Sequence, residues 1–310
     1  MPRRMLGSIA LAVALAVFGT AVSAQSPQKW QPGRTPDGQP DIQGTWLNFD
    51  ATPFEAPAPA AVRPAPAPGA ATAANINPAP EFADHTHQVS KARRAMVVDP
   101  PDGRVPVLKW AEDKRDYDLE HIPDAPEHET PWVRCITRGY PAAFFPAGYN
   151  NAYQIIQTPG FVVIVFEMIH ETRIIPIDGR PRLGAAITQW NGEPRGHWEG
   201  TTLVVESTNY NDKGSIGTSA ATGRLRGIPQ SASMKVVERF TPVGPDTIDY
   251  RVTIDDPKVY AKPWTVELPL NRDETYQMFE YSCQEGNYAM ANSLSFGRKR
   301  DREAAAGSSK

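Results

Sequence analysis

Gly196-His197-Trp198-Glu199-Gly200-Thr201-Thr202-Leu203-Val204-Val205-Glu206 is a tight, glycine-bounded turn carrying His, Trp and Glu that runs straight into a β-branched strand. Further strand-and-turn units lie on both sides of it. Upstream, Ala152–Gln157, Phe161–Phe166 and Thr172–Ile177 read as strands, separated by turns at Thr158-Pro159-Gly160 and Met168–Glu171. Arg182–Trp190 is a weaker strand after the turn Asp178-Gly179-Arg180-Pro181. Downstream of Thr202–Tyr210 come Ser233–Pro242, Asp246–Ile254, Trp264–Leu270 and Thr275–Ser282. Eight or nine short strands with turns between them predict a mainly β, antiparallel barrel or sandwich. Barrel closure would remove the exposed edges that such β-branched strands otherwise leave.

The segments before this body have a different character. Residues 25–50 form a turn-rich entry with a first strand at Asp41–Trp46, whose Gly44-Thr45-Trp46 resembles the lipocalin pattern and implies a calycin-type barrel. Residues 51–130 form a Pro/Ala-rich and then charged arm, too poor in apolar periodicity to build a core of its own. Short helices are expected at Val107–Glu120 and around Phe82–Met96. Phe161–Phe166 is apolar on both faces, and the arm is the available cover for its outer one. The barrel domain is expected over 131–298, followed by a disordered tail over 299–310.

Met1–Met5 is basic, Leu6–Ala21 is apolar, and Val22-Ser23-Ala24 gives a small-x-small cleavage pattern, so residues 1–24 read as a secretory signal. Removing Arg3 and Arg4 takes the count from 32 basic and 35 acidic residues to 30 and 35, a net of −5. A mildly acidic product without a basic stripe argues against nucleic acid, and no second long apolar run argues against membrane insertion. The expectation is a secreted, periplasmic monomer or weak dimer. Cys135 and Cys283 are the two cysteines, and an oxidising compartment favours a disulfide between them over a thiol nucleophile.

Asp178-Gly179-Arg180-Pro181, the Gly196–Glu206 stretch, Glu238-Arg239-Phe240, Asp255-Asp256-Pro257, Lys262-Pro263-Trp264-Thr265 and Glu280-Tyr281-Ser282-Cys283-Gln284-Glu285-Gly286-Asn287-Tyr288 together resemble a family of uncharacterised secreted bacterial proteins. That resemblance implies a secreted β-rich protein and carries no activity. The family often has Arg where His197 stands here and Asp where Thr201 stands.

Several residues are candidates for chemistry. His170, with Glu167 or Glu171 as orienting partner, is the first choice for a general base. His197 and Glu199 flank Trp198 and would share a face on an extended backbone, while Trp198 would plug a barrel end. Arg173, Tyr140, Phe145, Tyr153, Trp198, Tyr281 and Asn287 are candidate ligand contacts. Asp84, His85 and His87 could chelate a metal with His121 or His128, but no spacing matches a zinc signature, so neither a metal nor another cofactor is expected. GxSxG, P-loop, GxGxxG-after-strand and HExxH patterns are missing from the sequence. The leading expectation is a barrel binding a small, partly apolar molecule. The alternatives are a cofactor-free acid/base enzyme (a lyase, isomerase or hydrolase) and an envelope interaction protein that uses the arm.

Overall fold

A computed structural model describes residues 30–48, 52–57, 93–217 and 220–308. The expected signal at 1–24, the Pro/Ala run beyond Pro57, most of the helix expected around Phe82–Met96 and the Asp84-His85-His87 group lie outside the described residues.

The entry segment supplies β1 (Gly44–Leu47), and the arm supplies β2 (Val97–Asp99) and helix α1 (Lys109–Glu120). A meander of β3 (Ala152–Thr158), β4 (Phe161–Phe166) and β5 (Thr172–Pro176) follows. Next come the hairpin β6 (Glu193–Glu199) and β7 (Thr202–Thr208), then β8 (Lys235–Gly244), β9 (Thr247–Asp255) and β10 (Trp264–Arg272). Helix α2 (Ala289–Ser308) comes last.

Three local expectations are corrected. Gly196–Glu199 is not a turn; it forms the second half of β6, and the turn proper is only Gly200-Thr201. Gly200 sits at φ +61°, the first central position that a two-residue hairpin loop of II′ type reserves for glycine. No strand forms over Arg182–Trp190 or Thr275–Ser282. In the latter, the Tyr276 hydroxyl and the Phe279 amide both turn to Glu167 instead of to a neighbouring strand. Finally, much of the tail expected to be disordered is the end of α2, which packs Gly297 against Pro123 and pairs Arg300 with Asp124.

The strands form a nearly closed antiparallel barrel. Its nine-strand path runs β5-β4-β3-β1-β10-β9-β8-β7-β6, with β2 added beside β10. An odd number of strictly antiparallel neighbours leaves the two end strands pointing the same way. Hence β5 and β6 must meet in parallel, and the structure shows it: Asn191 lies beside Glu171, and Gly196 beside Ile175 and Ile177. Among the described residues no hydrogen-bonded ladder joins this pair.

The barrel interior is packed with side chains. Period-2 alternation turns Leu203 and Val205, then Val236 and Phe240, Tyr250 and Val252, and Val266 and Leu268 into the core. The segment Tyr140–Phe145 enters as a plug. Phe144 is fully buried, with its ring 4.5 Å from Tyr250, 5.0 Å from both Tyr153 and Phe166, and 5.4 Å from Phe240. Part of the arm joins the body beside β10 and not over the outer face of β4, where Phe161, Val163 and Val165 stay half-buried: β2 pairs with β10, Phe54 packs on Phe145 at 4.8 Å, and Met96, Val97, Val105 and Ala111 are buried.

The seam explains Gly196. A Cβ there would stand 2.7 Å from Ile177 Cγ2 and 2.9 Å from Ile175 Cγ2. Gly196→Val is therefore expected to destabilise the fold by about 1–3 kcal/mol, although β-propensity alone favours valine in a strand. Ile177→Ala should restore part of the loss. Denaturant unfolding of the single and double variants checks this; a single variant as stable as the wild type would remove the close seam from the account.

Candidate functional site

The strand that leads out of the β4–β5 turn carries Arg173 on the same face as Ile175, and so points a guanidinium into the core. On β8, Glu238 shares its face with Val236 and Phe240. Arg173 and Glu238 meet inside the barrel with side chains 3% and 0% exposed. Arg173 Nη1 donates to Glu238 Oε1 at 2.9 Å and Nη2 to Oε2, making a bidentate pair. Nη2 also donates to Ser207 Oγ at 3.0 Å, and the Tyr250 hydroxyl donates to Glu238 Oε1 at 2.9 Å. The Tyr140 ring lies 4.5 Å under the guanidinium. Two of the candidate ligand contacts, Arg173 and Tyr140, are thus engaged with each other in the core. Phe145 is buried against Phe54, and the Tyr153 hydroxyl donates to the Ala143 carbonyl at 3.3 Å. Burial pushes the Tyr140, Tyr153 and Tyr250 phenols far up, so all three stay neutral.

The candidate catalytic residues separate. Glu167 is buried, accepting from the Tyr276 hydroxyl at 3.0 Å and the Phe279 amide at 2.8 Å. Glu171 accepts from Thr137 Oγ1 at 2.7 Å and from Asn191. His170, exposed between them, directs Nδ1 to the Tyr281 carbonyl at 2.9 Å. Both glutamates therefore fasten the β4–β5 turn to its surroundings, and neither orients the imidazole. Ile169 and His170 in that turn hold φ of 61° and 39°, a left-handed backbone uncommon for a β-branched residue. His197 and Glu199 are on the outer surface, 3.3 Å apart, and Glu199 also accepts from Arg239 at 2.7 Å. Arg239 and then His197 hold the Glu199 carboxyl below its ordinary range. Trp198 points inward, half-buried against the core, and its indole N–H donates to Gln39 Oε1 at 2.7 Å.

What the fold does bring together is a cleft beside the β4–β5 turn. Cys135 and Cys283 form the expected disulfide, with Cα atoms 5.6 Å apart, and tie the segment before β3 to the segment before α2. The facing walls enclose about 540 Å³ lined by Trp132, Tyr149, Tyr281, Asn287, Glu280 and Glu285, among others. The Tyr149 and Tyr281 rings stack with centroids 6.2 Å apart, and Trp132 lies 6.4 Å from Tyr149. Asn287 Nδ2 donates to the Val133 carbonyl at 2.9 Å, which holds the wall. Partial burial and then the hydrogen bond with Tyr281 push the Tyr149 phenol up to about 12. Of the expected ligand contacts, Tyr281 and Asn287 are here. Trp132 was not among them, although its place three residues before Cys135 would have brought it to Cys283 once the disulfide was accepted. A second cleft of about 470 Å³ lies between α1 and the Asp212–Ser215 loop, lined by charges of both signs.

Among the described residues no group of three His, Cys, Asp or Glu side chains is placed to hold a metal ion, and no helix is long and apolar enough to cross a membrane. No protein-family model, curated protein or solved structure matches the chain.

Two outcomes follow from these groups. Removing one partner of a buried pair leaves an uncompensated charge or dipole, so Arg173→Met or Glu238→Gln should each cost about 3–5 kcal/mol. Arg173→Met/Glu238→Leu together should cost much less than their sum, as a double-mutant cycle by urea unfolding reads. For Tyr149, folding raises the phenol pKa from an ordinary value near 10 to about 12. The stability linked to its neutral form is complete below pH 10 and is lost as pH rises through about 12. Compared with Tyr149→Phe, the wild type should lose stability over that window; parallel pH profiles would contradict the assignment.

Proposed function

We propose that this is a periplasmic member of the secreted family it resembles, and that it binds a small, partly apolar molecule at the mouth of its barrel. The observation that carries this reading is the aromatic cleft at the disulfide, where Trp132, Tyr149 and Tyr281 surround about 540 Å³ with Asn287 as a polar contact. Apolar and aromatic lining with a few placed polar groups is the usual chemistry of small-molecule sites. The barrel lumen is an unsuitable place for the ligand, since Phe144 and its neighbours fill it. A disulfide fits an oxidising compartment. The acid/base alternative has His170 close to the cleft through the Tyr281 carbonyl, yet Glu167 and Glu171 direct their oxygens elsewhere. The interaction-protein alternative has less support, because the described part of the arm is built into the barrel's cover.

Native mass spectra of the mature protein purified from a periplasm should show a non-covalent organic mass that disappears on denaturation. Tyr281→Ala should lose that mass while unfolding at nearly the wild-type midpoint. An empty wild-type protein in every preparation would count against the binding reading.

A further inference from the structure

From the charge of the cleft walls we infer the class of ligand: a small organic cation of the quaternary ammonium type, held by aromatic faces and two carboxylates. The inference rests on the proposed binding at this cleft and adds its chemistry. The lining contains Glu280 and Glu285 and, among the described residues, no lysine, arginine or histidine. That pair repels an anion and offers a neutral ligand only hydrogen-bond acceptors, whereas a cation gains charge attraction from both. The three aromatic rings add the second component. Indole and phenol faces are negative, and a cation within about 6 Å of such a ring is attracted without a directional bond. Trp132 already shows this behaviour, since the Arg138 guanidinium lies 5.1 Å from its ring centroid. Arg138 itself is buried behind the wall, with Nη2 donating to the Phe145 carbonyl at 3.2 Å, and does not line the cleft. Tyr149 and Tyr281, stacked on each other, line the same cleft and supply the adjoining rings.

The carboxylates are available for this role. Both side chains are exposed; Glu280 accepts a long bond of 3.3 Å from Ser282 Oγ, and among the described residues neither is ion-paired with a lysine or arginine. Glu199 and Glu274, also exposed, each have an arginine partner. A quaternary ammonium nitrogen has no N–H to donate, so it favours a site made of faces and charge over one made of directed acceptors.

Titration calorimetry of the intact mature protein with choline, with its neutral isostere 3,3-dimethylbutan-1-ol, and with methyl glucoside separates the possibilities. Choline should bind at least about tenfold more tightly than the isostere, given the cation–π and carboxylate contributions. Glu280→Gln/Glu285→Gln should lower choline affinity by about the same factor and leave the isostere unchanged. Both substitutions are on exposed side chains, and the unfolding midpoint reports whether the fold is intact. If the isostere or the glucoside binds as tightly as choline, the cationic class is overturned while small-molecule binding stands. If none of the three binds, the inference fails; an empty native mass spectrum in addition removes the binding reading beneath it.

Discussion

The parallel meeting of β5 and β6 is the constraint on which the rest of the barrel depends. Nine antiparallel neighbours cannot close with an antiparallel ladder, and the described residues place no ladder across this seam. Side chains close it instead. Gly196 removes a Cβ where Ile175 and Ile177 come nearest, and Arg173 reaches from the seam strand to Glu238 on β8. A buried ion pair is a poor source of stability in general, because desolvation costs about what the attraction returns. Here its geometric role is clearer: it fixes β5 against β7, β8 and β9 through Ser207, Glu238 and Tyr250.

Filling the lumen follows from the same arrangement. Once a bidentate pair and the Tyr140–Phe145 plug occupy the interior, the barrel serves as a rigid support and not as a container. The concave surface is then displaced outward, to where the segments flanking the plug and the segment before α2 are held together. The disulfide closes a loop of 148 residues, a constraint on the unfolded chain of roughly 4–5 kcal/mol. It also sets the distance between the two cleft walls. Glu167 and Glu171 have a supporting part in this, anchoring the β4–β5 turn on which His170 contacts Tyr281.

The sequence carried the strands well and the side-chain partnerships poorly. β3, β4, β5, β8, β9 and β10 were legible because period-2 β-branched runs bounded by Gly and Pro have few other uses. The Gly196–Glu199 stretch misled because one glycine there serves a close approach and the other a turn, and the two look alike in a sequence. The disulfide was legible from compartment and number. Arg173 was visible as a polar residue, but its partner Glu238 was passed over. Its place between Val236 and Phe240 on an inward face was the signal, and it becomes readable only after the strand register is known. His170 with its glutamates looked like a catalytic group because adjacency in sequence hides that side chains of a tight turn diverge.

The most direct test of the side-chain-closed seam is amide hydrogen exchange resolved along the strands. If β5 and β6 meet without a ladder, the seam-directed amides of Thr172–Pro176 and Glu193–Glu199, in which Pro176 and Pro194 carry no N–H, should exchange much faster than the amides of β8 and β9. Protection along both seam strands equal to that of β9 would mean that backbone hydrogen bonds close the barrel, and would contradict this account.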